Sequence, residues 1–130
     1  MALMKFREPN QVKWAGSRPG HDGTQIQARN EADNATVLIY TVTALKTLYL
    51  CTAGLSTYTA VGGGSFLRIR TDGDVFWLDL LSFYQGVNLS SVNPVITFWP
   101  PLEVPAGYYI EVRSSSVGHK VQGYIFGWEE

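Results

Sequence analysis

Apolar residues in this chain recur at alternating, strand-like intervals, and helical spacing is hardly represented. Between Tyr108 and Arg113 the alternation puts Tyr108, Ile110 and Val112 on one face and Tyr109, Glu111 and Arg113 on the other. The first face is expected to be core. Leu67 and Ile69 separate in the same way from Phe66, Arg68 and Arg70, giving a second half-buried strand. Two further apolar runs, Val37 to Val42 and Leu45 to Thr52, are rich in β-branched and aromatic residues. Strands are therefore predicted near residues 35–42, 46–52, 65–71, 74–80, 94–99, 108–114 and 119–126, with a short additional one near 24–28. In Val75 to Leu80 both alternating sets are apolar, Phe76, Leu78 and Leu80 against Val75, Trp77 and Asp79. Such a strand is expected either in the middle of a sheet or under a second subunit. Short strands separated by turn residues specify an all-β sandwich or barrel.

The punctuation between strands supports this reading. Thr71-Asp72-Gly73-Asp74 reads as a tight hairpin with Gly73 taking positive φ, and Pro105-Ala106-Gly107 ends one strand before Tyr108 begins the next. The segment from Ala53 to Gly64, ending in three glycines, is expected to be a long surface loop or a close backbone approach. Residues 1–33 are broken by Pro9, Gly16, Pro19, Gly20 and Gly23 and show little apolar periodicity. They are expected to form an extended N-terminal arm in front of a sandwich domain spanning 34–130, with Val12, Trp14 and Ile26 as apolar anchors. At roughly 3.3 Å per residue, about thirty extended residues reach some 100 Å, enough to lie across a neighbouring subunit.

With 130 residues and 45% hydrophobic content, the chain closes one core. A net charge of -1 offers no general attraction to nucleic acid or an anionic membrane, and neither is expected as a partner. Residues 1–29 carry Lys5, Arg7, Lys13, Arg18 and Arg29 against Glu8 and Asp22, a slight basic excess. Cys51, the single cysteine, lies in an apolar run, so it is read as a buried, inert thiol with no internal disulfide. Neither a signal peptide nor an apolar run of about 18 residues is present, which points to synthesis in a cytoplasm as a soluble product.

Catalytic material is scarce. His21 and His119 belong to no nucleophile motif, and the chain lacks a Gly-x-Ser-x-Gly turn, so no enzyme activity and no catalytic residue are expected. Two histidines do not make a metal cluster, and Asp72 and Asp74 are better explained by the hairpin than by Ca²⁺. The Gly62-Gly63-Gly64 stretch has no lysine after it to hold phosphate, and the triplets Asn34-Ala35-Thr36 and Asn88-Leu89-Ser90 are read as chance. No cofactor and no metal are expected. Aromatics are 13% of the chain, more than one small core accommodates, so some must face a partner. Subunit contact is the first reading and sugar stacking the second.

Three segments carry a resemblance: Leu38 to Leu50, Pro101-Leu102-Glu103-Val104-Pro105-Ala106-Gly107-Tyr108, and the terminal Gly127-Trp128-Glu129-Glu130. Over about residues 35–130 their order resembles the small jelly-roll structural proteins of tailed bacteriophages. The resemblance implies a single jelly-roll-like antiparallel β-sandwich preceded by an extended N-terminal arm, assembling as a homotrimer on a virion. A capsid decoration, or cement, protein is the expected function, holding the major capsid protein non-covalently. The alternative is a carbohydrate- or receptor-binding module of a tail fibre or baseplate, with a host surface glycan as partner. Arm contacts are assigned to Arg7, Val12, Trp14 and Arg18, and the subunit interface to Trp77, Trp99 and Tyr109.

Overall fold

In the computed structural model the described residues are 23–57, 61–86 and 91–130, and they form an all-β sandwich without helices. Its strands are β1 (Thr24–Asp33), β2 (Thr36–Thr41), β3 (Leu48–Thr57), β4 (Gly63–Arg70), β5 (Phe76–Gln85), β6 (Val95–Val104), β7 (Tyr109–Ser114) and β8 (Lys120–Glu129). They divide into two four-stranded sheets, ordered β1-β8-β3-β6 and β2-β7-β4-β5. Every pairing is antiparallel. The first strand pairs with the last, the second with the seventh, the third with the sixth and the fourth with the fifth. This is one long hairpin, its tip at the β4–β5 turn, rolled until its two halves face each other, which is the jelly-roll arrangement.

The core lies between the sheets and follows the alternation. Leu67, Ile69, Ile110 and Val112 of one sheet and Leu48, Leu50, Leu55 and Val121 of the other are fully buried. At about 1.5–3 kcal/mol for each large aliphatic side chain removed from water, these positions dominate the favourable side of folding.

Several expectations are corrected by tertiary context. The arm expected over residues 1–33 does not run to Asp33: Thr24–Asp33 is a full strand bonded along β8, with Ile26 and Ala28 packed on the core. Its inward positions are small or isolated, so periodicity alone showed only part of it. The loop expected from Ala53 is strand as far as Thr57. At Cys51 the pairing slips by one residue against β8 and by three against β6, which switches the inward set from Leu48 and Leu50 to Ala53, Leu55 and Thr57. That phase change broke the alternation.

Gly63 and Gly64 belong to β4, and they mark close approaches. A Cβ on Gly63 would stand 2.9 Å from the His119 ring, and one on Gly64 would stand 2.8 Å from Phe66. At the β4–β5 turn it is Asp74, with φ of 62°, that takes the left-handed conformation, not Gly73. The turn closes by Thr71 N–H to Val75 O (2.8 Å) and Asp74 N–H to Thr71 O (3.1 Å). Gly107, at φ of 81°, does end the Pro105 turn as anticipated.

The apolar strand β5 is not central: it pairs with β4 alone and forms the edge of its sheet. Its register slips twice, leaving Trp77 and Leu80 without direct partners on β4, so the simple two-face alternation does not hold along it.

Candidate functional site

Charged residues on the outer face of the β2-β7-β4-β5 sheet form a local network. Glu111, expected on a solvent face, is only 5% exposed because Arg70 and Arg68 from the adjacent strand cover it. Arg70 Nε donates to Glu111 Oε2 at 2.8 Å, and Arg68 Nε lies 4.0 Å from the same oxygen and 3.8 Å from Asp79 Oδ1. Arg68 Nε is buried and makes no hydrogen bond. The Arg68 guanidinium sits 5.0 Å from the Phe66 ring centre. Hydrogen bonding from the Glu111 carboxylate pushes the Arg70 guanidinium further toward its charged form. Tyr109 O–H donates to Asp74 Oδ1 at 2.8 Å, which raises its phenol above the ordinary value, since the bond holds the neutral form. Tyr109 thus braces the hairpin tip, a role the sequence did not announce.

The flank where β5 and β6 form the free edges of the two sheets is greasy. Val75, Phe76, Trp77 and Tyr84 along β5 are 62%, 51%, 38% and 78% exposed. Val95 and Trp99 on β6 are 54% and 66% exposed. Trp77 meets Tyr108 edge-on with ring centres 5.2 Å apart, so its ring orientation is set from within the subunit. Pro100 and Pro101 interrupt donors on β6, a device tolerated at sheet edges. The structure therefore gathers two of the three predicted interface residues, Trp77 and Trp99, on one flank. Tyr109 stands apart, inside its sheet on β7. The four arm residues, Arg7, Val12, Trp14 and Arg18, lie outside the described residues, as does His21.

One pair of side chains escaped the sequence reading. Ser65 Oγ and His119 Nε2 are 2.8 Å apart, and His119 Nδ1 is 2.8 Å from Val61 O. A carbonyl only accepts, so Nδ1 carries the proton and Nε2 accepts from the serine hydroxyl. This arrangement has the connectivity of a hydrolytic dyad but lacks access. Both residues are 0% exposed, so no substrate carbonyl reaches Oγ. The pair ties β4 to the start of β8, together with a short hydrogen bond from Ser114 Oγ to His119 O. Fifty-four residues separate the partners, and no local motif links them.

On the outer face of the β1-β8-β3-β6 sheet an aromatic row runs along β8. Trp128 stacks on Tyr49 at 4.8 Å and donates from Nε1 to Glu130 Oε2 at 2.8 Å. Tyr124 lies between its cross-strand partners Arg29 and Gly54. Its ring leans over Gly54, where a Cβ would fall 2.2 Å from the phenol carbon and oxygen. Shallow depressions of about 420 Å³ and 480 Å³ open on the two sides of Tyr124, and both are walled by Arg29. Among the described residues no group of acids, histidines and cysteines is placed to hold a metal, and no helix is long and apolar enough to cross a membrane.

No protein-family model and no curated protein matches the chain. Among solved structures it is similar to a Bacillus endospore appendage protein whose family forms disulfide-linked pili, at 11% identity and a TM-score of 0.41, covering 84% of this chain and 92% of that one. It is also similar to a pentameric capsid protein isolated from metagenomic phage sequences, at 16% identity and a TM-score of 0.37. That match covers 80% of this chain and 59% of the capsid chain, so this chain spans well under two thirds of it. A second structure of such a pentameric phage capsid protein gives the same identity and score over 66% of its length. Likenesses this distant say nothing about what this chain does.

Proposed function

We propose that this chain is a structural subunit of a virus particle, a capsid decoration protein that assembles with copies of itself and grips the major capsid protein through its leading segment. The apolar flank of β5 and β6 carries the reading. Val75, Phe76, Trp77, Val95 and Trp99 place large, exposed apolar side chains at or beside two free sheet edges, where unpaired backbone invites another chain. Covering that flank with another subunit removes apolar area at about 25 cal/mol per Å² and hides unpaired backbone groups of the edge strands. It also leaves the opposite flank free for a different partner. A trimer seam built on Trp77 and Trp99 and capsid contacts built on Arg7, Val12, Trp14 and Arg18 complete the proposal. A ring of linked copies attaches several leading segments at once, so modest individual contacts sum to firm attachment.

Light scattering coupled to gel filtration tests the first part: the intact chain runs as a trimer, and Phe76→Asp combined with Trp77→Ser runs as a folded monomer. A chain that is monomeric at ~100 μM, a concentration that populates any interface with Kd below that value, overturns it. Cosedimentation with purified phage heads tests the second part. Removal of residues 1–22 is expected to leave the trimer intact and abolish cosedimentation, and heads that bind the shortened chain equally well refute the role given to that segment.

A further inference from the structure

The two depressions beside Tyr124 share a guanidinium and a phenol ring, and their chemistry is that of a ligand site. Arg29 is exposed and makes no ion pair or hydrogen bond among the described residues, although the neighbouring strands are rich in polar groups. In this it differs from Arg68, Arg70, Asp74, Glu111 and Glu129, which are engaged with neighbouring side chains or with backbone. Tyr124 is half-buried and held over Gly54, where the missing side chain lets the ring lie low across β3. Gln27 lines one depression, and Gln122, Ser56 and Asn93 line the other. Ser56 Oγ donates to Asn93 Oδ1 at 2.7 Å, which fixes that amide with its nitrogen left as a donor.

From this arrangement we infer that the outer face of the β1-β8-β3-β6 sheet binds an acidic oligosaccharide, with a sugar ring on Tyr124 and its carboxylate on Arg29. A flat phenol takes the apolar face of a pyranose, while the fork of a free guanidinium matches a carboxylate with two parallel hydrogen bonds. Amides on both sides supply donors and acceptors for hydroxyls. Volumes of about 420 and 480 Å³ flanking one ring suit successive sugar units. An extended peptide is a poorer occupant, because this site lies on a sheet face where backbone groups are already paired across β1, β8 and β3. A nucleic-acid strand is poorer still, since among the described residues Arg29 is the sole cation lining either depression. The site lies on a sheet face rather than on the β5–β6 edge flank, and it does not depend on the assembly reading.

The test is a heteronuclear NMR titration of the full-length protein with trigalacturonate and with a sialic-acid-terminated trisaccharide, using maltotriose and a short single-stranded DNA as comparators. Shifts are expected at Gln27, Arg29, Gln122 and Tyr124 with either acidic sugar, weakening as salt rises. Arg29→Gln is expected to weaken acidic-sugar binding about tenfold or more and to erase the preference over maltotriose. Tyr124→Leu, which keeps an apolar body without the ring face, is expected to abolish binding of either kind. Both positions are off the core, and unchanged urea midpoints confirm that the fold persists. No shift with either acidic sugar at ~10 mM, where even millimolar affinity saturates, overturns the inference. So does undiminished binding by either variant, or tighter binding of DNA than of the acidic sugars.

Discussion

Replacing His119 by leucine isolates what the buried Ser65–His119 pair does. The substitution roughly preserves volume while deleting both ring nitrogens, so Ser65 Oγ and Val61 O each lose a partner. Ser65 is 0% exposed, and its orphaned hydroxyl has no water to turn to. By the usual cost of an unsatisfied buried polar group this end contributes about 1–3 kcal/mol. Val61 is 43% exposed and its carbonyl rehydrates more easily, which confines its share to roughly 1 kcal/mol, the net worth of an ordinary hydrogen bond. The expected loss is about 2–4 kcal/mol, a large part of the 5–15 kcal/mol typical of a domain. For a chain of this size it corresponds to a melting point lower by roughly 6–16 °C. Urea unfolding followed by tryptophan fluorescence reads it directly. Ser65→Ala alone orphans Nε2 and costs about 1–3 kcal/mol, whereas the double variant removes both ends of the Ser65 bond and is expected to fall short of the sum by about 1 kcal/mol or more. A His119→Leu protein within about 0.5 kcal/mol of the wild type, the range of inconsequential surface changes, refutes the reasoning. In that event the pair is not structural, and its likeness to a hydrolytic dyad needs another explanation.

Two other outcomes follow from the geometry. Gly127→Ala puts a Cβ 2.2 Å from the backbone oxygen of Tyr49, and since backbone of the central strand β3 does not yield, a loss of about 3 kcal/mol or more is expected. Gly54→Ala meets only the far end of the Tyr124 side chain, so its stability cost in urea is expected to be smaller, below about 1.5 kcal/mol, and comparable costs for the two variants contradict the placement. Burial pushes the Glu129 carboxyl up, but Thr43, through N–H (2.8 Å) and side chain, and Tyr40 outweigh it and hold the group below its ordinary value. A depressed folded-state value means stability that is present above the unfolded carboxylate range and lost as pH falls through the folded value. Glu129→Gln is therefore expected to be less stable than wild type at pH 7 and to converge on it below about pH 4, measured by melting temperature against pH. A gap that stays constant on acidification contradicts this account.

Period-two alternation was sufficient to specify an all-β sandwich and, at Leu67, Ile69, Ile110 and Val112, the side chains that fill it. Local rules of this kind act through neighbours in sequence, and the Pro105–Gly107 turn belongs with them. Where the chain slips register, at Cys51, Trp77 and Leu80, the pattern loses phase, because a bulge is decided by the partner strand and not by the residues it displaces. Placement of β5 at a sheet edge rather than in the middle of the sheet, which leaves Phe76 and Trp77 exposed, likewise depends on which strands flank it. Ser65 with His119, Glu111 under Arg70, and Arg29 beside Tyr124 each join residues far apart in the chain. Rolling one long hairpin onto itself is what brings them together, so only the tertiary structure disclosed the buried pair, the ionic network and the depressions beside Tyr124.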